Sequence, residues 1–405
     1  MGSWPAGSEW LTDLTDAQAR TDEHIAAKVN ELTSASTSPY ERIKAIGEYV
    51  QHIKYVAIEI NLARGGGYKP HDAPDVLSKQ YGDCKDKANL MRAMLKQAGI
   101  DSYLVTIYAG DRNHVRRDWP SPYQFNHAII AVRVSDEVKR ASVIVHPQLG
   151  RLLLFDPTST STPIGALPEY EQGSLALVVA GNKGDLVLVP SAPEESNRTD
   201  VNISASLAEN GALTASLHEV LRGESAASFR ELHSQKAAAE FQKFLEKWLS
   251  LNANDVTLAK VSVNDSFEQG QFALDVEFQA PRYAQIMQQR LLVFRPAVVG
   301  RLGNHYLQAE PRTTPVVLSG ECYHQQIEVS LPPAFQIDEM PEGANLKAGF
   351  GSYSSNYSLK GNKLTFTEQL DVTSSTIPAD QYGEVKRFFE QVAGAGQAPL
   401  VFAKQ

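Results

Sequence analysis

The chain has 405 residues, 42% hydrophobic and 21% charged, with a formal net charge of −9 at pH 7. That balance is ordinary for a globular protein long enough to hold two or three domains. The negative charge and the lack of a basic block argue against nucleic acid as the main partner, and no apolar run approaches the roughly 20 residues of a membrane-spanning helix.

In chain order, residues 1–37 read as an N-terminal helical segment. Its polar helix, Ala17 to Leu32, carries a thin apolar stripe of Ile25, Val29 and Leu32. Ser38-Pro39 starts a second helix, Tyr40 to His52, with Ile43, Ile46 and Val50 inward. Tyr55 to Ile60 is a short extended piece, and residues 61–74, with Gly65-Gly66-Gly67, are a loop. No Walker-type Lys-Ser/Thr pair follows the glycines, so they do not point to a phosphate cradle. Lying close upstream of Cys84, the loop is expected to line a substrate cleft.

Tyr81-Gly82-Asp83-Cys84-Lys85-Asp86-Lys87 is the stretch with chemistry in it. Cys84 and Cys322 are the only cysteines, so no disulfide framework accounts for Cys84, and a Cys84–Cys322 bond would disable it as a nucleophile. From Asp86 to Ala98 the residues Leu90, Met91, Met94, Leu95 and Ala98 share one helical face, and Gly99 ends the run. The thiol therefore sits in the first turn of a buried helix, where free N–H groups and the positive dipole end favour a thiolate. A thiolate nucleophile needs a base, and the base an acceptor that orients it.

Ser102 to Ala109 reads as a strand, and residues 110–124 as a polar and aromatic loop beside the site. His127 opens the apolar run Ala128 to Val132; Leu152 to Phe155 is a second run that stops at Asp156-Pro157. Paired antiparallel, these strands bring His127 and Asp156 to the same edge of a sheet. Residues 158–184 close this domain, taken as 38–190, and 191–200 read as a linker.

Residues 201–405 are expected to form a β-rich region with helices, in one or two domains, of β-sandwich type. Asn210-Gly211 between two alternating runs signals a hairpin, and Ser225 to Leu251 a long amphipathic helix. Strands are predicted at 256–263, 271–279, 291–294, 316–331, 353–359, 363–372 and 400–402, with a last helix at Tyr382 to Val392.

Six ordered words carry a resemblance: Tyr68-Lys69-Pro70-His71, Asp75-Val76-Leu77, Tyr81 to Lys87, Ala98-Gly99-Ile100-Asp101, Phe125-Asn126-His127 and Phe155-Asp156-Pro157-Thr158. They resemble the transglutaminase-like superfamily, a papain-related cysteine fold. The nearer resemblance is to bacterial proteins that join such a core to domains of unknown function, and the phrasing of residues 331–382 resembles the tails of those proteins. The resemblance implies an α+β core, with a helix-borne Cys packed on an antiparallel sheet, and a Cys84, His127, Asp156 triad.

It also implies acyl transfer on peptide or carboxamide bonds through a thioester, with hydrolysis favoured over protein-glutamine transglutamination. A binding or scaffold protein with a degenerate core is the rival class. The Cys84 backbone N–H is the natural oxyanion donor, with Gln80 a candidate for the second. No cofactor or calcium loop is expected, and no Cys-x-x-Cys or His-Glu-x-x-His spacing supports a zinc site on Cys84, His127 and Asp156. The expected partners are protein or peptide substrates, peptidoglycan stem peptides among them, and the expected location is periplasmic or extracellular. Met1-Gly2-Ser3 reads as an added start with no export signal after it; such a signal, or a β-rich preceding domain, is expected to lie outside this chain.

Overall fold

The computed structural model describes residues 2–57, 66–251, 253–299 and 312–404. The chain divides into two compact units, 1–192 and 193–405. Among the described residues no helix is long and apolar enough to cross a membrane.

The first unit opens with helices α1 (Trp4–Thr15), α2 (Glu23–Thr33) and α3 (Pro39–Gln51). A short strand β1 (Lys54–Tyr55) follows, then α4 (Ala73–Lys79), strand β2 (Tyr81–Gly82) and α5 (Cys84–Gln97). Strands β3 (Ser102–Ile107), β4 (His127–Arg133), β5 (Val143–His146), β6 (Gly150–Phe155), β7 (Leu175–Val179) and β8 (Leu186–Leu188) complete it. They form one antiparallel sheet in the order β5-β6-β4-β3-β7-β8. The predicted face of α5 is the buried one. Leu90, Met91, Met94 and Leu95 are fully buried with Ile130, Val132, Leu153 and Phe155 of the sheet. Each such side chain contributes about 1.5–3 kcal/mol by leaving water. This is the α+β core expected, a helix bearing Cys84 on an antiparallel sheet.

The N-terminal helix reading needs correction. The predicted helix at Ala17–Leu32 starts only at Glu23, because the Asp22 side chain caps it by accepting from the Ile25 N–H. The unpredicted α1 precedes it, with Ser3 as N-cap and a proline in its first turn. It is fastened to the end of β7: Ser8 Oγ accepts from the Ala180 N–H and Thr12 Oγ1 from the Gly181 N–H, both at 2.9 Å. Gly184 touches the same serine, and a Cβ there would lie 2.0 Å from Ser8 Oγ and 2.2 Å from the Val178 carbonyl. The predicted extended piece at Tyr55–Ile60 is a strand at Lys54–Tyr55; residues 58–60 lie outside the described residues.

In the second unit the Asn210-Gly211 hairpin joins Arg198–Leu207 to Leu213–Arg222 in continuous antiparallel register. These two strands sit inside an eight-stranded sheet. Its order is Thr257–Ser266, Gln271–Ala280, Leu213–Arg222, Arg198–Leu207, Glu321–Ser330, Lys363–Val372, Gly351–Lys360, Asn345–Ala348. A four-stranded sheet that includes Leu291–Phe294 and Leu400–Lys404 shares its apolar core. The long helix predicted at Ser225–Leu251 is two helices, Gly223–Gln235 and Ala238–Leu249. Lys236 and Ala237 are extended between them, so the apolar stripe turns rather than running straight. The run at 316–331 is likewise two strands, Val316–Leu318 and Glu321–Ser330.

Candidate active site

The start of α5 is held by its own side chains. Asp83 is the N-cap and accepts from the Asp86 N–H, while Asp86 accepts from the Asp83 N–H, a reciprocal capping box. The His71 backbone N–H and imidazole Nδ1 also bond the Asp86 carboxylate, at 2.7 and 2.9 Å. Lys85 pairs with Asp83. Gly82 is needed for its small size: a Cβ there would sit 2.6 Å from the Asp86 Cβ. β1 pairs in parallel with β2, setting Tyr55 beside Gly82. Cys84, the first helical residue, is partly exposed. Both cysteines are free.

His127 and Asp156 come together as the strand argument expects. β4 and β6 are antiparallel, with Ile130 opposite Phe155, so His127 and Asp156 fall on the same face at the same end. His127 Nε2 lies 3.2 Å from Asp156 Oδ2, and Cys84 lines the same cleft as the imidazole. With Nε2 facing Asp156, Nδ1 is the nitrogen left for the thiol. Burial alone would lower the imidazole pKa, but the hydrogen bond to Asp156 and the nearby Cys84 raise it to about 11. Burial likewise opposes ionisation of Asp156, yet His127 and the Thr158 N–H hold its pKa below the usual value. Asp156 Oδ1 accepts from the Thr158 N–H and Oγ1, both at 2.8 Å. The sequence word Asp156-Pro157-Thr158 is therefore a clamp on the carboxylate.

Two buried groups near the pair were given no role by the sequence reading. Glu171, in a turn just before β7, is fully buried 3.6 Å from His127 Nε2. β7 pairs with β3, and β3 with β4, which brings the turn to the His127 end of the sheet. Burial, and then the Asp156 charge, raise the Glu171 carboxyl well above its ordinary range. Lys87, one turn into α5, donates to the carbonyls of Gln51 and Ile53 at the end of α3. Burial lowers its pKa to about 8, against the pull of Asp156.

Cys84 and His127 line a cleft of about 530 Å³ with Leu11, Tyr55, Tyr68, Leu104 and Phe125 among its walls. Gly67 also lines it; Gly65 lies outside the described residues. Gln80 is not part of this wall. It ends α4 in a left-handed conformation, and its amide donates to the Tyr49 hydroxyl and the Leu77 carbonyl. Its spacing before Cys84 is too short to turn that side chain into the cleft. Tyr55 is there instead: after burial, the charges of Cys84, Asp83 and Asp156 raise its hydroxyl pKa. In the loop at 110–124, Trp119 is exposed. The buried Gln124 side chain holds the loop through Arg116 and Trp119, and Trp4 Nε1 bonds the Arg117 carbonyl. Asn126 bridges both backbone groups of Ala109, fixing the chain just before His127.

The zinc set weighed from sequence, Cys84 with His127 and Asp156, is not the one that converges. His127, Asp156 and Glu171 each bring a ligand-type atom within 4.8 Å of the others. The Asp156 oxygens are already engaged by Thr158 and His127.

Comparison with known proteins agrees with this architecture. Residues 26–140 match the transglutaminase-like superfamily, a span that includes Cys84 and His127 and ends before Asp156. Residues 289–402 match DUF3858, a domain of unknown function. The chain thus has a transglutaminase-like core and, in its β-rich part, a domain shared with other proteins. It is similar in fold to the crystal structure of a "putative protease" from Parabacteroides distasonis, at a TM-score of 0.56 and 13% identity. That likeness covers 100% of this chain and 59% of the other, so the chain spans well under two thirds of its length. No curated protein matches the chain.

Proposed function

We propose that the first unit is a cysteine-dependent acyl-transfer enzyme that hydrolyses peptide or carboxamide bonds, peptidoglycan stem peptides being one substrate class. The observation that carries this reading is the hydrogen-bonded His127–Asp156 pair, with Cys84 and His127 together on the wall of one cleft. In this reading the Cys84 thiolate, paired with the His127 imidazolium, attacks the substrate carbonyl carbon. A C–S bond forms and the carbonyl oxygen becomes an oxyanion. The Cys84 backbone N–H at the helix start and the Tyr55 hydroxyl are its donors. His127 passes its proton to the leaving amine as the C–N bond breaks, leaving a thioester. Water, giving a proton to His127, then attacks the thioester; the acid leaves and the thiol is restored. Tyr68, Phe125, Leu104 and Leu11 give the cleft an apolar wall suited to an uncharged side chain next to the scissile bond.

The test is the rate of Cys84 alkylation by iodoacetamide against pH, by intact mass, in the wild type and in His127→Ala. Reactivity that persists well below the free-thiol value of about 8.5, and is lost in the variant, supports the pair. Identical profiles in both proteins would sink it and leave the scaffold reading. Peptides offered with and without an amine acceptor then separate hydrolysis from transamidation.

A further inference from the structure

We propose that Glu171 is a positioning residue: its buried carboxyl, set beside both Asp156 and His127, donates a hydrogen bond to Asp156 and so extends the Cys84–His127–Asp156 chain by one member. The inference rests on the reading of that chain as the reactive site.

The argument is one of charge and donors. Glu171 is fully buried, and no donor reaches either of its carboxyl oxygens at hydrogen-bond geometry among the described residues. Its titratable neighbours are Asp156, at the end of β6, and His127, at the start of β4. Beyond these two, Lys87 of α5 and Tyr55 interact with Asp156, and Cys84 with His127. Two carboxylates this close in a dry pocket do not both ionise. The Thr158 N–H, the Thr158 hydroxyl and His127 all donate to Asp156. No described residue donates to Glu171, so the proton stays on Glu171. The acceptor near that O–H is the Asp156 carboxylate. A neutral Glu171 fills the space behind the imidazole without adding a second counter-charge, and it ties down the carboxylate that orients His127. A cation shared by His127, Asp156 and Glu171 is the competing account. It would have to displace the Thr158 bonds and reach two carboxyls that have almost no contact with solvent.

Glu171→Gln and Glu171→Ala separate the accounts. Glutamine keeps an N–H donor and no charge, so the pH profile of Cys84 alkylation stays within about twofold of wild type. Alanine removes the donor, and the profile moves up by about one pH unit, roughly tenfold in rate at the acid end. If both variants move the profile alike, Glu171 is an ionised counter-charge and the proposal falls. If neither moves it and only thermal stability changes, Glu171 is mere packing and the proposal also falls. A divalent metal found by elemental analysis in the purified protein and lost in Glu171→Gln would overturn it in favour of a cation site. The infrared difference between wild type and Glu171→Gln at neutral pH tests the protonation itself, whether or not Cys84 is reactive. A protonated-carboxyl C=O band is expected, and its absence refutes the proposal. A Cys84 alkylation profile unchanged in His127→Ala would undo the site reading while leaving that band in place.

Discussion

At the scale of single residues, the side chains that orient the site outnumber the three proposed to react. Thr158 clamps Asp156, Asn126 fixes the approach to His127, and Asp86 with His71 holds the turn that presents Cys84. Tyr55, not Gln80, lines the cleft with Cys84. In the proposed mechanism it donates to the oxyanion, so Tyr55→Phe is expected to lower kcat about 10²-fold or more with KM little changed. A rise in KM at constant kcat would make Tyr55 a substrate contact only. Cys84, His127 and Asp156 were named from the words of the resemblance, each standing at the junction of an apolar run and a polar turn. Tyr55 and Glu171 were not, because neither Lys54-Tyr55 nor Tyr170-Glu171 differs locally from an ordinary surface word.

At the scale of elements, α1 is the piece that local patterning did not reveal. Its contacts are with segments far away in sequence. Trp4 bonds the Arg117 carbonyl and packs against Phe125, with ring centroids 5.8 Å apart, while Leu11 lines the cleft. It therefore acts as a strap over the loop that precedes His127. Trp4→Ala is expected to cost about 3 kcal/mol or more, as loss of a buried aromatic does. It should also speed hydrogen exchange at amides of residues 110–124. Unchanged exchange there would show that Gln124 holds the loop without help from α1. The break at Lys236 in the second unit has the same lesson: periodicity reports which residues are apolar, not whether one axis carries them all.

At the scale of the whole molecule, the two units carry their own buried titratable groups. Glu368 is buried in the second unit and its pKa is raised by burial to about 7, against the hydrogen bond from Tyr353. A carboxyl with its folded pKa above its unfolded value holds more protons in the folded state between the two. Stability therefore falls as pH rises from about 4.5 to 7. The shift corresponds to the order of 3 kcal/mol. In calorimetry, the transition assigned to residues 193–405 should move to lower temperature between pH 5 and pH 8, and Glu368→Gln should flatten that dependence. An identical slope in the variant would mean that Glu368 titrates as an ordinary surface carboxyl.

The sequence alone was enough to determine the helix bearing Cys84, its buried face and the β-rich character of residues 201–405. These follow from periods of 3.6 and 2 and from capping and turn residues, which act over a few positions. Only the tertiary structure decided that Gln80 faces Tyr49, that α1 reaches the cleft, and that Glu171 lies against His127 and Asp156. Those facts depend on which distant segments meet and on whether a buried polar atom finds a donor, and neither is written in any local stretch of the chain.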